Sequence, residues 1–240
     1  MQSAENGVSV GPTVATGRAA RSVRAATTEL SIVQPHVFRE RVQRTIDIVV
    51  ATLGFLICWP IIVVLAVKIR SGTPGPAFFW QTRIGKSGQP FKFLKFRTLY
   101  VDARERFPEL YAYRYTADDI ETQPFKVPND PRVTPEGLRL RKTSLDELPN
   151  LWNVLLGEMT LVGPRPEIPE MLPYYCGEML EVFNVKPGLT GAAQVSGRAN
   201  LSMAESIRID VAYLRQRTIW SDVVIIARTV VVVFRKVGAF

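Results

Sequence analysis

The sequence predicts an α+β protein, mostly helical, that inserts into a membrane as a monotopic protein. Three observations support this fold class. A twenty-residue uncharged apolar run covers positions 48–67, an alternating segment with a glycine turn predicts a small β-hairpin after position 72, and two later segments have the pattern of amphipathic helices. Because 47% of the 240 residues are hydrophobic, the chain can form one substantial core or two small ones.

The sequence divides into three parts. Residues 1–38 are rich in Ala, Ser, Thr and Val and predict a flexible N-terminal tail; a transit peptide is the alternative, but the amphipathic pattern is missing. Residues 39–71 predict a re-entrant membrane helix. Residues 72–240 predict a cytoplasmic domain that ends in an interfacial helix.

The charge balance favours an anionic partner. Lys and Arg number 30 against 22 Asp and Glu, a formal charge of +8, which suits phospholipid headgroups or a phosphorylated substrate. Nucleic acid is not expected, because no nucleic-acid-binding signature is present. The two cysteines, Cys58 and Cys176, do not suggest a disulfide framework. The sequence contains one histidine, His36, which is too few for a histidine-based metal site and leaves little material for a catalytic triad. A reducing, cytosol-facing location follows.

The apolar run is long enough for a membrane helix, but two features favour a re-entrant hairpin. Basic residues flank it on both sides: Arg39, Arg41 and Arg44 before it, and Lys68 and Arg70 after it. Because positive residues prefer the cytoplasmic side, both ends are expected there. Pro60 removes one backbone hydrogen bond, so we predict that the helix breaks at Trp59–Pro60. The first arm, starting at Asp47, then reaches only about 20 Å. An ordinary kinked span is the alternative, and Arg44 and Asp47 are expected to form an ion pair.

The remaining elements follow from local patterns. Residues 73–99, "TPGPAFFWQTRIGKSGQPFKFLKFRTL", predict the hairpin, with "GKSG" as its turn. Polar, tyrosine-rich residues 100–128 predict a lid, an interface or a surface insertion. Helices are predicted over about 149–159 and 202–216, and "VGPRPE" and "VKPGLTG" predict turns. The C-terminal apolar stretch, residues 223–234, predicts a helix lying in the membrane plane, with a buried β-strand as the alternative.

An acidic pair, Asp146 and Glu147, lies in "TSLDELPNLWNV" directly after a basic stretch. Ser144 and Glu147 fit a capping box, and Pro149 suits the first helical position, so helix capping is one explanation of the pair. The helix N-terminus would keep the carboxylates ionised. Such a carboxylate is a poor general acid but a usable nucleophile or Mg²⁺ ligand.

Basic residues next to Gly or Pro turns, or at ends of predicted elements, favour the catalytic explanation. These candidates for substrate binding are Lys95, Arg97, Arg141, Arg165 and Arg198. A ring of cations around two carboxylates suits phosphoryl transfer, because cations stabilise phosphate oxygens. For any one of them alone, a solvated surface charge is the alternative. No Rossmann, Walker A, CxxC or GxSxG motif is present.

Five sequence blocks, in the order in which they occur along the chain, resemble those of the bacterial sugar transferase family. This family comprises the monotopic phosphoglycosyl transferases that start surface-glycan assembly. The blocks are "RTIDIVV…P", "PAFFWQTRIGKSGQPFKFLKFRTL", "NDPRVTPEGLRLRKTSLDELPNLWNVLLGEMTLVGPRPE", "VKPGLTGAAQVSGR" and a C-terminal "D…GAF". The resemblance covers about residues 41–240, and it is the set of blocks that is specific.

The resemblance implies a function and a site. Asp146 would attack the β-phosphate of a UDP-sugar, releasing UMP, and polyprenyl (undecaprenyl) phosphate would then take the phosphosugar in a ping-pong second step. Mg²⁺ would bind through Asp146, and Glu147 would orient the site or handle the acceptor's proton. Basic family residues near the phosphates or nucleotide correspond to Lys95, Arg141, Arg165 and Arg198, with Arg97 a weaker addition. The family's helix break corresponds to Trp59–Pro60, although Trp59 stands where members often carry serine.

The resemblance also implies a location in the bacterial cytoplasmic (inner) membrane, on the cytoplasmic leaflet, with the catalytic domain facing the cytoplasm. The oligomeric state stays open, a homodimer included. The second function hypothesis is a non-catalytic, basic, membrane-anchored adaptor that binds anionic lipid or a partner protein. It explains the anchor and the charge equally well, but it does not explain the acidic pair inside the most basic stretch of the chain.

Overall fold

A computed structural model describes residues 37–124, 127, 129–197 and 200–235 of the chain. Most of the predicted tail, residues 1–38, therefore lies outside the described residues. His36 and Arg198 lie outside them as well. Within the described ranges the protein is mostly helical with two small sheets, so the α+β, mostly helical class is confirmed.

The elements are short except for the first and the last two helices. The helices are α1 Val37–Gly72, α2 Ala103–Arg106, α3 Ala117–Thr122, α4 Pro135–Thr143, α5 Leu151–Leu156, α6 Ala192–Ser196, α7 Met203–Arg215 and α8 Ile219–Arg235. The strands are β1 Phe78–Ile84, β2 Pro90–Phe96, β3 Thr160–Val162 and β4 Gly188–Thr190. Short 3₁₀ helices cover Lys86–Gly88, Pro108–Tyr111, Leu145–Asn150, Pro169–Tyr174 and Gly177–Asn184.

Helix α1 is continuous, with Pro60 inside it. The backbone stays helical where the sequence predicted a break at Trp59–Pro60, so the break is absent from the secondary structure. Pro60 removes only the hydrogen bond to the Leu56 carbonyl, and Phe55 and Ile62 pack against the domain on either side of it. The re-entrant course of the segment stays a prediction.

One face of α1 packs against the rest of the protein along most of its length. Ala51 joins one core cluster, and Ile62 and Ile69 join another with Phe96. Apart from Thr52, the side chains that the opposite face exposes between its basic ends are apolar, among them Ile48, Val49, Leu53, Leu56, Ile57, Val64 and Val67. By length and composition, α1 is the one helix in the described part of the chain that is apolar enough to cross a membrane.

Polar contacts fix the start of α1 to the domain. Arg44 donates hydrogen bonds to the carbonyls of Val154 (2.6 Å) and Leu155 (2.7 Å). Asp47, which is 3% exposed, accepts from the Thr160 hydroxyl at 2.8 Å and from the Leu161 N–H at 2.9 Å. The predicted Arg44–Asp47 ion pair is therefore wrong, because each side chain bonds to the domain instead of to its neighbour on the helix.

The predicted hairpin is confirmed. Strands β1 and β2 pair antiparallel, with Phe78 opposite Phe96 and Phe79 opposite Lys95. The turn needs left-handed backbone at Ser87 (φ 56°) and Gly88 (φ 70°), which glycine adopts without strain. Alternation along the strands puts Phe79 and Lys95 on the same face of the sheet.

The second sheet was not predicted. Strands β3 and β4 pair in parallel, with Thr160 opposite Gly188 and Val162 opposite Thr190. The sequence predicted only turns at "VGPRPE" and "VKPGLTG", because three-residue strands are too short to show a period.

The C-terminal segment is the helix α8, so the β-strand alternative is wrong. The predicted helix α7 is confirmed, and it begins with a capping box at Ser202 and Glu205.

Asn153 connects α5 to the hairpin and should carry much of the local stability. It is fully buried, accepts from the Leu94 N–H at 3.0 Å and donates to the Lys92 carbonyl at 2.7 Å. We expect Asn153→Ala to lower the free energy of unfolding by about 2–3 kcal/mol, because two partly buried backbone groups lose their partner. Thermal denaturation in detergent measures the loss. Leu138→Ala, at a 40% exposed position, is the control and should shift the midpoint little.

Candidate active site

The acidic pair lies on the 3₁₀ segment Leu145–Asn150, between α4 and α5. Ser144 joins α4 to this segment in a left-handed conformation (φ 57°), and its side chain makes no capping hydrogen bond. The predicted capping box is therefore absent, and helical turns begin at Leu145, ahead of Pro149. The Glu147 carboxylate is engaged elsewhere, since its Oε1 lies 2.9 Å from Nη2 of Arg165.

Asp146 is the unpaired member of the pair. Within the described ranges it makes no hydrogen bond and no ion pair within 4 Å. Burial and the charge of Glu147 raise the pKa of the Asp146 carboxyl, while Lys95, Arg165 and Arg141 act against that rise. The sequence predicted that a helix N-terminus would hold this carboxylate ionised; instead, the three cations are what oppose its protonation.

Lys95 approaches Asp146 from the hairpin. It lies on β2 opposite Phe79, and its Nζ is 5.6 Å from the centre of the Phe79 ring. Burial, helped by the charge of Arg83, lowers the pKa of Lys95 to about 8, and Asp146 acts in the opposite direction. The ammonium group is thus held in a partly desolvated position where an anionic ligand would stabilise its charge.

Arg141 approaches from the last turn of α4. Its Nε donates to the Thr98 hydroxyl at 3.2 Å, and its Nη1 lies 3.9 Å from Oδ2 of Asp130. Asp130 is itself held by Arg132 through two contacts of 2.8 Å. These bonds fix the Arg141 guanidinium in one orientation, which suits the recognition of phosphate oxygens.

Arg165 approaches from the loop after β3. Asp210 on α7 accepts hydrogen bonds from the backbone N–H groups of Arg165 and Ala193, and Arg83 donates to the Pro166 carbonyl at 2.8 Å. This loop is therefore held from both sides. Burial raises the pKa of Asp210 to about 7.

Arg97 lines the same cavity as these residues, but its guanidinium bonds to the backbone and not to the acidic pair. Its guanidinium donates to the carbonyls of Pro74 (2.6 Å) and Thr73 (2.8 Å), just beyond the end of α1. Arg97 is only 5% exposed, so its contacts assign it to holding the end of α1. Arg198, the remaining predicted cation, lies outside the described residues.

Three further residues of the site did not emerge from the sequence alone: Arg83, Asp130 and Asp210. Arg83 shares the alternating face of the hairpin with Phe79, a signal that the sequence did carry. Asp210 stands out as an acidic residue on the apolar face of α7 beside Ile207 and Val211, all three of them buried. Asp130 has no periodic signal, because it lies in a loop.

One open cavity of about 1280 Å³ is lined by the acidic pair and the charged residues around it, Arg83, Lys95, Arg141, Asp146, Glu147, Arg165 and Asp210. Residues from the predicted lid or insertion segment, among them Tyr100, Tyr111, Tyr113 and Tyr115, form part of its wall. The cavity can hold a large anionic ligand against the half-buried carboxylate of Asp146. No group of three or more acidic, histidine or cysteine side chains that could hold a metal occurs in the ranges that the structure describes.

Comparisons with known proteins identify the family of the chain. The family model described as bacterial sugar transferase matches residues 38–236. The chain is 40% identical over 199 residues to the undecaprenyl-phosphate galactose phosphotransferase of Salmonella typhimurium, covering 82% of this chain and 41% of that protein. It is 35% identical over 198 residues to the exopolysaccharide production protein ExoY of Rhizobium meliloti, covering 82% and 88% respectively.

A third relative has a different sugar in its name. The UDP-glucose:undecaprenyl-phosphate glucose-1-phosphate transferase of Caulobacter vibrioides is 38% identical over 204 residues, covering 82% of this chain and 71% of that protein. The chain spans about two fifths of several other relatives that it matches. Since the family model spans nearly all of the described residues, the chain belongs to the bacterial sugar transferase family.

Proposed function

We propose that the protein transfers a sugar 1-phosphate from a UDP-sugar to polyprenyl phosphate and releases UMP, a first membrane step of surface-glycan assembly. One observation carries the proposal: Asp146 lies unpaired in a cavity, under the influence of Lys95, Arg141 and Arg165. The names of the relatives support the substrate classes, because they include undecaprenyl-phosphate sugar phosphotransferases and a UDP-glucose-dependent transferase.

In the first step, a carboxylate oxygen of Asp146 bonds to the β-phosphorus of the donor. The bond between that phosphorus and the bridging oxygen breaks, and UMP leaves with the electron pair. In the second step, a phosphate oxygen of the acceptor bonds to the same phosphorus and the Asp146 carboxylate leaves. Lys95, Arg141 and Arg165 stabilise the negative charge on the phosphates in both steps.

Glu147 acts by orienting the site. Its contact with Arg165 holds that guanidinium beside the reacting phosphate and neutralises part of the repulsion between the two carboxylates. Of the two roles that the family resemblance implies for Glu147, orientation is the one that this ion pair favours.

Asp146 fits a Mg²⁺ ion better than Glu147 does, because Glu147 already bonds to Arg165. Mg²⁺ in such sites is held by one or two carboxylates together with substrate phosphates, so the lack of a three-carboxylate cluster in the described ranges agrees with this arrangement. When bound, the ion would screen the charge of the diphosphate.

We further propose that α1 enters the cytoplasmic leaflet of the inner membrane without crossing it and that α8 lies at the interface. The packed face of α1 supports this, because contacts with one domain extend from Arg44 to Ile69, about 37 Å along the axis. A helix perpendicular to the bilayer would draw that domain into the hydrocarbon. A topology reporter that places the N-terminus in the periplasm would contradict this course.

The reaction should weaken at alkaline pH through Lys95. Its pKa of about 8 means that the ammonium loses its proton as the pH rises through 8, and donor binding then loses one positive charge. We expect the KM for the donor to rise several-fold between pH 7.5 and 9. Steady-state UMP release measures it. Lys95→Arg keeps the charge and should move the alkaline limb upward; an unchanged limb would remove Lys95 from donor binding.

The direct test of function is a screen of UDP-sugars with purified protein in lipid, Mg²⁺ and undecaprenyl phosphate, with UMP as the readout. UMP release that depends on both substrates is expected with at least one donor. Membrane binding without UMP release from any donor would favour the adaptor hypothesis instead. The same screen identifies the sugar, and labelled donor shows whether a phosphosugar–protein adduct forms.

A further inference from the structure

We propose that Arg83, near the end of β1, is a positioning residue that joins the hairpin carrying Lys95 to the loop carrying Arg165 and so sets the distance between these two cations. This inference rests on the proposed function, in which both cations bind the phosphates of the donor. Arg83 would then influence turnover through its two neighbours, because its own hydrogen bonds go to the protein.

Three contacts join the end of β1 to the residues that follow Arg165. Nη1 of Arg83 donates to the Pro166 carbonyl at 2.8 Å and lies 3.8 Å from Oε1 of Glu167. The backbone N–H of Ile84 donates to the Glu167 carbonyl, also at 2.8 Å. Because Pro166 and Glu167 directly follow Arg165 in the chain, these contacts fix the backbone from which the Arg165 side chain extends.

The guanidinium of Arg83 is held in one orientation. Its Nε and Nη2 donate to Oε1 of Gln81, on the same strand, at 3.2 and 2.9 Å. Its Cζ lies 5.3 Å from the centre of the Phe93 ring on β2, and only 13% of the side chain is exposed. A rigid fork of five donors can bond to Gln81 and to the loop at the same time, which the single ammonium of a lysine cannot reproduce.

The loop side of this contact is fixed as well. Oε1 of Glu167 accepts from the Ile168 N–H at 2.8 Å, and Oε2 accepts from the Tyr175 hydroxyl at 3.3 Å. Asp210 accepts from the N–H of Arg165. Among these side chains and Arg83, only Arg83 belongs to the hairpin, so it is the side chain that sets the loop relative to Lys95.

Arg83 also acts on Lys95 through its charge. The alternation of the paired strands puts both side chains on one face of the hairpin. Burial, followed by the charge of Arg83, lowers the pKa of Lys95; Asp146 opposes this fall, and Arg141 and Arg165 add to it. Two like charges on one partly desolvated face repel each other, and a phosphate bound between them would relieve that repulsion.

Two substitutions of Arg83 separate its geometry from its charge. Arg83→Lys keeps the charge but loses the fork, so kcat/KM for the donor should fall about tenfold while the alkaline limb of the pH–rate profile stays in place. Arg83→Gln loses both, so kcat/KM should fall at least as far and the alkaline limb should move to higher pH, because Lys95 loses a repelling neighbour. UMP release per folded molecule, with the folded fraction taken from thermal denaturation, measures both effects.

A purely structural role for Arg83 predicts a different result. The folded fraction would fall in both variants, and the rate per folded molecule and the alkaline limb would stay unchanged, which would overturn the proposal. Lys92→Gln is the matched control, since Lys92 is an exposed cation of β2 that contacts Thr82 on the other face of the hairpin. Its rate and its pH profile should match those of the unaltered protein.

A double variant tests whether Arg83 acts through Arg165. Once Arg165 is replaced by Gln, the distance between the two cations no longer matters, so adding Arg83→Lys should lower kcat/KM by less than about threefold further. A full tenfold further loss would show that the two arginines act independently and would overturn the proposal.

Binding of inorganic pyrophosphate with Mg²⁺, measured by calorimetry on the full chain in nanodiscs, tests the same inference without turnover. Arg83→Lys should weaken this binding about tenfold, and Lys92→Gln should leave it unchanged. Competitive acetylation of Lys95 across pH, read by mass spectrometry, reports the pKa of that amine, and its midpoint should rise in Arg83→Gln alone.

These two readouts keep the inference separate from the proposed function. If the unaltered protein releases no UMP with any donor, the transferase proposal fails, but pyrophosphate binding and Lys95 labelling still decide the role of Arg83. Unchanged pyrophosphate binding in Arg83→Lys, together with an unmoved Lys95 midpoint in Arg83→Gln, overturns the role proposed for Arg83 whatever the turnover.

Discussion

Replacing Asp146 with Asn is expected to abolish UMP release while leaving the fold nearly intact. The amide has almost the size of the carboxylate, and the structure gives Asp146 no hydrogen bond or ion pair among its described neighbours that would be lost. An amide cannot attack phosphorus, so we expect a loss of at least about 1,000-fold in kcat. The measurement is UMP release, together with mass spectrometry of the peptide that carries Asp146 after reaction with labelled donor.

Two variants make this result specific. Asp146→Ala should behave like Asp146→Asn, which guards against activity regained by deamidation. Asp130→Asn is the matched control, since Asp130 is a buried carboxylate that pairs with Arg132 and lies beside Arg141. It should still form the adduct. Full turnover by either Asp146 variant would remove this residue from the nucleophile role and with it the covalent mechanism.

The elements predicted best from the sequence are those with a period and a defined end. The hairpin has alternating strands around "GKSG", and α7 has apolar residues at helical spacing after a Ser202–Glu205 capping box. The valine-rich C-terminus allowed both a strand and a helix, because β-branched residues fit a pleated surface. Its helix α8 is fixed by packing against α6 and the β3–β4 sheet, where Ile225 joins one core cluster with Leu161 and Val162, and local sequence does not encode that packing.

The candidate site was predictable mainly through the family blocks. Lys95 and Arg97 look equivalent in "KFRT", yet one faces Asp146 and the other holds carbonyls after α1. That difference depends on where α1 ends in space. The altered pKa of Asp146 was also not predictable, because it arises from burial and from cations that approach from β2, α4 and the loop after β3. Sequence supplied the residue types, and the tertiary structure brought them together.

Replacing Arg165 with Gln is expected to move the acidic limb of the pH–rate profile to higher pH and to reduce kcat/KM. Arg165 is a cation that opposes the rise in the Asp146 pKa and is also the ion-pair partner of Glu147. Without it, Asp146 loses one favourable charge and faces an unpaired Glu147, so its pKa rises further and a smaller fraction is ionised at a given acidic pH. Loss of the contact between Arg165 and phosphate should also lower kcat/KM by about 10²–10³-fold.

The double variant Arg165→Gln with Glu147→Gln separates these two effects. Because the charge of Glu147 raises the pKa of Asp146, removing that charge should return the acidic limb part of the way toward lower pH. The value of kcat/KM should stay low, because the guanidinium of Arg165 is still missing. Arg208→Gln is the control, since Arg208 pairs with Glu121 at an exposed position away from the cavity, and its profile should match the unaltered protein. If Arg165→Gln left the acidic limb unmoved, Asp146 would not be the group that titrates there, and the three cations would have to act on the substrate alone.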